Sequence, residues 1–300
     1  MRIIHGPYKK EWIFGNNKKK NEIFQDGHLY LDQILVRGNE LKKIRHSVYL
    51  VKNLTSYSRF DCTSRTYKYY FPRGDLDLSQ INEAGKILLG EHDFRNFCKM
   101  DVAHGVINYH RRIISVDAEV LEKGAGNANE DTTSPFDLCV LTIKGKAFLW
   151  HQIRCIVAVL FRVASGRESP DIVSELLDID ANPTRPQYAF ASEIPLNLFQ
   201  CDFEEDLEWV FDEEAIQMTI RQLQDLWTEH SIKTIMFKQA IDNLNEKTRT
   251  AGIRVNTDKK QADWLYHLAK SKSYISLKDL PKCPSLEKKI SSINKRRKIV

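Results

Sequence analysis

The sequence predicts an α+β fold, in which a mixed, largely antiparallel sheet carries helices on one side and is followed by a helical C-terminal extension. Three patterns support this prediction. Residues 65–71 alternate as a strand does, with one face formed by Arg65, Tyr67, Tyr69 and Phe71. Residues 147–164 form a nearly unbroken apolar stretch, which is typical of a buried helix. Beyond residue 214, apolar residues recur at helical spacing.

The other elements follow from local signals. The spacing of Ile81, Ala84, Ile87 and Leu88 predicts an amphipathic helix. It begins near Asp77 or Ser79 and ends at Gly90. A capping serine, Ser169, precedes Pro170 at the start of a short helix that runs to about residue 177. The other predicted strands are residues 29–36, 48–54, 106–116, 136–143 and 189–203. The predicted loops are residues 90–97 and 123–134. Two further helices are predicted at residues 216–227 and 232–244. We expect the last forty residues to be loosely ordered.

Length and composition are those of a soluble globular chain. The 300 residues are 42% hydrophobic and 28% charged, which suits one large or two modest domains. Arg154 and Arg162 interrupt the longest apolar run, so the sequence contains no transmembrane candidate, and the first residues lack a signal-peptide core. The six cysteines lie far apart, which indicates neither a zinc site nor a disulfide framework. We expect a protein of the nucleus or cytoplasm.

Charge alone does not indicate a nucleic-acid-binding protein. The net charge of +5 is concentrated in the first sixty and the last fourteen residues, and the remainder of the chain is acidic. The basic cluster at residues 295–298 is compatible with a nuclear import signal, an RNA-binding tail or a solvated terminus.

Arg154 is the most informative residue of the buried helix. Breaking a buried ion pair by removing one partner costs ~3–5 kcal/mol, so an arginine in this apolar stretch requires a carboxylate or phosphate partner or a solvated cleft. A structural ion pair and an active-site role both satisfy this requirement, and the residues alone do not choose between them.

Three blocks, residues 65–71, 90–97 and 147–154, occur in an order and spacing that resembles the C-terminal half of the catalytic domain of the TruA family of tRNA pseudouridine synthases. Further stretches narrow the resemblance to the eukaryotic branch that acts on tRNA positions 38 and 39, and these are residues 98–103, 192–196, Trp227 and 281–283. The resemblance implies that residues 57–206 are half of a catalytic domain, residues 207–300 a helical extension with a basic tail, and residues 1–56 a divergent segment.

The resemblance also implies a function. Such enzymes detach uracil from its ribose and rejoin it through carbon five, use no cofactor or metal, and act on tRNA, in relatives that form homodimers. Tyr67 corresponds to the tyrosine that stacks on the target base, and Arg154 to the arginine that holds the catalytic aspartate ionised. The family's Gly-Arg-Thr-Asp motif does not occur in this sequence, and Asp26 and Asp32 lack its context. We therefore expect either a synthase that lacks its N-terminal half or a non-catalytic tRNA-binding or dimerising protein.

Basic residues near these blocks are the candidate contacts to RNA phosphates. They are Lys144, Lys146, Arg95, Lys99, Arg111 and Arg112. Solvated surface positions explain them equally well. We interpret His92 and His151 as structural residues and Phe148 as packing beneath the site.

Overall fold

The computed structural model describes residues 29–30, 35–36, 49–51, 62–124, 133–203, 209–211, 213–253 and 274–297. Its strands are β1 (Leu29–Tyr30), β2 (Leu35–Val36), β3 (Tyr49–Val51), β4 (Cys62–Pro72), β5 (Gly90–Asp93), β6 (His110–Glu122), β7 (Leu138–Gly145), β8 (Leu196–Phe203) and β9 (Trp209–Phe211). Its helices are α1 (Leu78–Ile87), α2 (Gln152–Ala164), α3 (Ile172–Leu177), α4 (Glu213–Thr250) and α5 (Leu286–Arg297), with short 3₁₀ turns at Arg95–Phe97 and Val102–His104. Among these residues, no helix has the length and apolar character needed to cross a bilayer.

A six-stranded sheet organises the chain. Its strands lie in the order β2-β8-β4-β7-β6-β5, and every neighbouring pair is antiparallel. A smaller antiparallel sheet has the order β1-β3-β9. The prediction of an α+β fold with a largely antiparallel sheet is therefore confirmed. Strand β4 lies between β7 and β8, so its side chains lie in the middle of the sheet.

Helix α2 packs on the face of β4 that the alternating pattern predicted. Tyr69 and Phe71 are buried, and their rings lie 5.8 and 4.8 Å from that of Phe161. Helix α1 contacts both α2 and β6, and its N-terminus is capped by the Asp77 carboxylate, which accepts from the Ser79 amide as predicted. The apolar residues of α2 thus form the centre of the core.

The apolar stretch begins with a turn rather than with helix. Residues 147–151 are not helical, because the Gln152 side chain accepts from the Leu149 amide and His151 adopts a left-handed conformation with φ of 60°. Helix α2 therefore begins at Gln152, and Phe148 lies in the turn that precedes it. Arg154 is placed in the first turn of the helix.

Several other boundaries differ from those predicted. The predicted loop 90–97 contains β5, because its backbone pairs with β6. The predicted strands 106–116, 136–143 and 189–203 begin later, at His110, Leu138 and Leu196. The two predicted late helices form the single helix α4. Most of the predicted loop at 123–134 lies outside the described residues.

Within the last forty residues, the described residues 274–297 include a segment that is folded against the domain, which corrects the expectation of loose order for these residues. Residues 261–273 and 298–300 lie outside the described part of the chain. Leu277 is fully buried, and Pro186 forms a β-bridge with Lys282. Backbone hydrogen bonds of 2.8 Å join the Gln187 amide to Pro281 and the Cys283 amide to Arg185. Long-range contacts of this kind are not visible in local composition.

Candidate active site and nucleic-acid interface

Tyr67 lies on β4 at the end of the sheet where α2 begins. It is half-buried, and its ring meets that of Phe148 edge to face, with centroids 5.2 Å apart and planes at 87°. Gly145 makes this packing possible, because a Cβ atom there would lie 2.8 Å from the Cζ atom of Phe148. The prediction that Phe148 packs beneath the site agrees with this contact.

Arg154 has two hydrogen-bond acceptors, and its Cζ atom lies 5.7 Å from the ring centroid of Phe190. Its Nε donates to the Ala191 carbonyl at 2.7 Å, and its Nη1 donates to Glu193 at 2.9 Å. The Arg154 side chain is 14% exposed, whereas that of Glu193 is 61% exposed, so this is not an ion pair with a core carboxylate. No acceptor for Nη2 is found among the described residues. The guanidinium therefore retains hydrogen-bonding capacity for a second anion.

Tyr69 lies on the same strand as Tyr67 and is affected by the charge of Arg154. It lies two positions after Tyr67 on the same face of β4, and its hydroxyl has no hydrogen-bond partner within the described part of the chain. Burial raises the pKa of the Tyr69 phenol well above its ordinary value, and the charge of Arg154 acts in the opposite direction. Arg154 therefore lies within electrostatic range of the strand that carries Tyr67.

The two predicted catalytic residues thus lie at the same end of α2. Tyr67 contacts the turn that precedes this helix, and Arg154 is in its first turn. A half-buried aromatic ring suits the stacking of a base that has left its helix, and a partly open guanidinium suits the orientation of a carboxylate. The structure leaves both of these surfaces accessible.

Two of the predicted RNA contacts come together with a third basic residue at this end of the sheet. The Lys146 amide donates to the Arg112 carbonyl at 3.1 Å, and Nη1 of Arg65 donates to the Lys146 carbonyl at 3.0 Å. Arg112 and Lys146 are exposed, and neither has an acidic partner within the described ranges. Arg65 was not among the predicted contacts. The sequence did indicate its position, because it lies two residues before Tyr67 and on the same face of the predicted strand.

Lys99, a third predicted RNA contact, lies next to the exposed aromatic residue Trp150. Its Nζ lies 4.2 Å from the ring centroid of Trp150, and its amide donates to the Trp150 carbonyl at 2.9 Å. Trp150 is 40% exposed. A cation next to an accessible indole suits the binding of single-stranded nucleic acid, because the ring can stack on a base.

The other three predicted contacts have partners within the protein. Arg95 forms an ion pair with Asp93, and Lys144 forms one with Asp202 at 2.8 Å. Nη1 of Arg111 donates to the carbonyls of Asn108 and His110. These cations are less available for phosphate than Lys146 and Arg112, and their contact with RNA stays a prediction.

Residues 192–196 were named for their resemblance to the family, but the sequence did not predict that this segment contacts Arg154. Ala191 and Glu193 lie 37 and 39 residues after the arginine, in an irregular segment before β8. Sequence separation of this size gives no local signal, and only the fold brings the segment to α2.

Comparisons with known proteins identify the family. A sequence profile of tRNA pseudouridine synthases matches residues 84–204, a range that contains Arg154. The tRNA pseudouridine(38/39) synthases of Bos taurus and Homo sapiens are each 40% identical to this chain, over 82% and 81% of its length and 53% and 52% of their own. A probable tRNA pseudouridine synthase of Caenorhabditis elegans is 32% identical over 88% of this chain and 64% of its own length. The chain spans about half the length of the mammalian relatives, and it belongs to the tRNA pseudouridine synthase family.

Proposed function

We propose that this chain provides the tyrosine and arginine side of the active site of a tRNA pseudouridine synthase that acts on uridines of the anticodon arm, at positions 38 and 39. The observation that carries the proposal is the location of Tyr67 and Arg154 at one end of α2, each with an accessible surface. The bovine and human relatives are tRNA pseudouridine(38/39) synthases by name, which supports the choice of substrate.

The proposed chemistry assigns one task to each residue. The ring of Tyr67, supported from its edge by Phe148, stacks on a uracil that has left the helical stack. Arg154 holds the catalytic carboxylate ionised through its open Nη2, while Ala191 and Glu193 fix the guanidinium from the other side. An ionised, oriented carboxylate acts as nucleophile or base at the sugar, and the basic surface around Lys146 binds neighbouring phosphates.

A chimaera tests this assignment. The N-terminal half of the human relative is joined to residues 62–300, and pseudouridine in a tRNA transcript is mapped with carbodiimide. We expect modification at positions 38 and 39, and its loss in Tyr67→Leu, which removes the stacking ring, and in Arg154→Lys. Tyr70→Leu is the matched control, because Tyr70 lies on the opposite face of β4.

Two outcomes separate the proposal from a non-catalytic role. A chimaera that binds tRNA and forms no pseudouridine, while the human relative does so in the same assay, contradicts the proposal and favours a tRNA-binding protein. Equal activity of the Tyr67→Leu, Arg154→Lys and control variants contradicts the assignment of the two residues.

We also propose that the chain forms a homodimer. The support comes from α4, where Phe237, Ile241 and Leu244 are exposed at the four- and three-residue spacing of a coiled coil. The exposed Trp227, ten residues before Phe237, falls on the same seam of this heptad pattern. Light scattering at micromolar concentration tests this with the double variant Trp227→Gln/Phe237→Gln. Ile232→Gln, an exposed change off this seam, is the control. A monomeric wild-type chain contradicts the proposal.

A further inference from the structure

We propose that helix α5 is a second RNA-binding element, which contacts tRNA phosphates away from the target nucleotide. This inference rests on the proposed function and adds a surface that is separate from Tyr67 and Arg154. Three observations support it: α5 is docked on the domain, its exposed surface is cationic, and it contacts the turn that follows Lys99.

Helix α5 is anchored firmly enough to present a fixed surface. The segment that leads into it contains the buried Leu277, whose amide donates to the Glu168 carboxylate at 2.7 Å. Lys278 forms an ion pair with Glu175 at 2.7 Å, and the backbone then pairs with residues 185–187. The helix itself lies against the turn at Val102–His104.

The helix has one face toward the domain and one toward solvent. Leu286, Ile290 and Ile293 are half-buried, and Leu286 packs on the main core. Lys288 and Lys295, seven residues apart and so two turns apart, are exposed. The outward surface of a docked helix is therefore cationic.

The stability of the helix does not explain the presence of Lys288 and Lys289. Cations stabilise the last turn of a helix but are unfavourable in the first turn, where the macrodipole is positive. Lys288 and Lys289 lie in that first turn. The one acidic residue of α5 is Glu287, whose pKa is lowered first by the Ser285 hydroxyl and its own backbone amide and then by the charge of Arg95. The helix carries five basic residues against this one acidic residue, so it keeps a net positive charge.

The position of α5 joins this charge to the surface already described. The turn at Val102–His104, which α5 contacts, follows Lys99 by three residues, and the charge of Lys289 acts on the neighbouring Cys98 thiol. Lys99 contacts Trp150, and Lys146 contacts Arg112. Basic residues thus lie both on α5 and close in sequence to the turn that it contacts, and a polyanion such as RNA is the partner that suits them.

Binding of the full 300-residue chain to an anticodon stem-loop of tRNA, followed by fluorescence anisotropy at several salt concentrations, tests the inference. For Lys288→Gln/Lys295→Gln we expect ~5–20-fold weaker binding and a salt slope reduced by about 1 for each lysine. The matched control is Lys86→Gln/Lys247→Gln, which removes two exposed lysines from α1 and α4. Protection of Lys288 and Lys295 from acetylation by bound tRNA is a second measurement that does not depend on a variant.

Three results overturn the inference: equal affinity and salt slope in the two double variants, no protection of the α5 lysines by tRNA, or no binding of the stem-loop by the wild-type chain. Loss of nuclear import with unchanged RNA binding also overturns it, since it assigns the lysines to an import receptor. The proposed function is judged separately, by pseudouridine formation in the chimaera and its loss with Tyr67 and Arg154.

Discussion

The ring of Phe148 occupies the space that a side chain at position 145 would need, with only 2.8 Å between its Cζ atom and a Cβ atom placed on Gly145. Because Phe148 contacts Tyr67, this close approach connects a strand terminus to the proposed base-binding ring. We expect Gly145→Ala to displace Phe148 and to lower the free energy of unfolding by about 1–3 kcal/mol, measured with urea.

A double-variant cycle checks the cause. Phe148→Ala removes the obstructing ring, so the two changes together should cost less than the sum of the single changes. Strict additivity would show that the Arg112 carbonyl, 3.0 Å from the same Cβ position, is the obstruction instead.

Glu193 and Arg154 distinguish an active-site arginine from a structural ion pair. Glu193 is 61% exposed, so we expect Glu193→Gln to change stability by less than about 1 kcal/mol and to leave pseudouridine formation by the chimaera largely intact. Arg154→Lys should abolish activity, because an ammonium group cannot bind two acceptors and an additional carboxylate in one plane. If Glu193→Gln is as damaging as Arg154→Lys, the ion pair itself is the function.

Tyr69 provides a test of the unpaired hydroxyl. Burial without a partner costs about 1–3 kcal/mol, so Tyr69→Phe should leave the protein equally stable or stabilise it. Thermal unfolding of the variant measures this effect. A destabilisation by more than about 1 kcal/mol, the usual net value of a hydrogen bond, would mean that the hydroxyl has an acceptor.

Asp202 makes stability depend on pH. The Lys144 ammonium and then the Ser64 hydroxyl hold the pKa of Asp202 below its ordinary value. A carboxylate whose pKa is lower in the folded state stabilises the protein above about pH 4, and this contribution is lost as the pH falls through the folded-state pKa. Wild type should therefore lose more stability than Asp202→Asn between pH 6 and pH 3, in urea titrations. Parallel curves would contradict this, and Asp117→Asn, on the exposed surface of β6, is the control.

Leu277 tests whether the C-terminal segment belongs to the domain. It is fully buried, so we expect Leu277→Ala to cost about 2–5 kcal/mol, measured by urea unfolding. Amide exchange should also accelerate at Gln187 and Cys283, which bond across this contact. Ile232→Ala, on the exposed surface of α4 and off the proposed dimer seam, should change little, and equal effects of the two changes would contradict the docking of the segment.

Short-range patterns were sufficient for much of the fold, whereas the resemblance to a known family indicated Tyr67 and Arg154 as candidate catalytic residues. The alternation around Tyr67 and the apolar stretch around Arg154 are periodic signals, because a strand and a buried helix repeat their environment every two and every 3.6 residues. The cap at Asp77 is equally local, since its carboxylate binds an amide two residues away. These features could be predicted because their physical causes lie within a few residues of each other.

Tertiary contacts decided what those residues meet. Glu193 reaches Arg154 across 39 residues, β5 forms only because β6 offers a free edge, and the tail folds because Leu277 finds a place in the core. A guanidinium in an apolar helix required an acceptor, but which acceptor, and from which side, depends on how distant segments pack together. Pairing and burial between such segments leave no periodic trace in the chain, so the accessible side of Arg154 and the cationic surface of α5 became visible only in three dimensions.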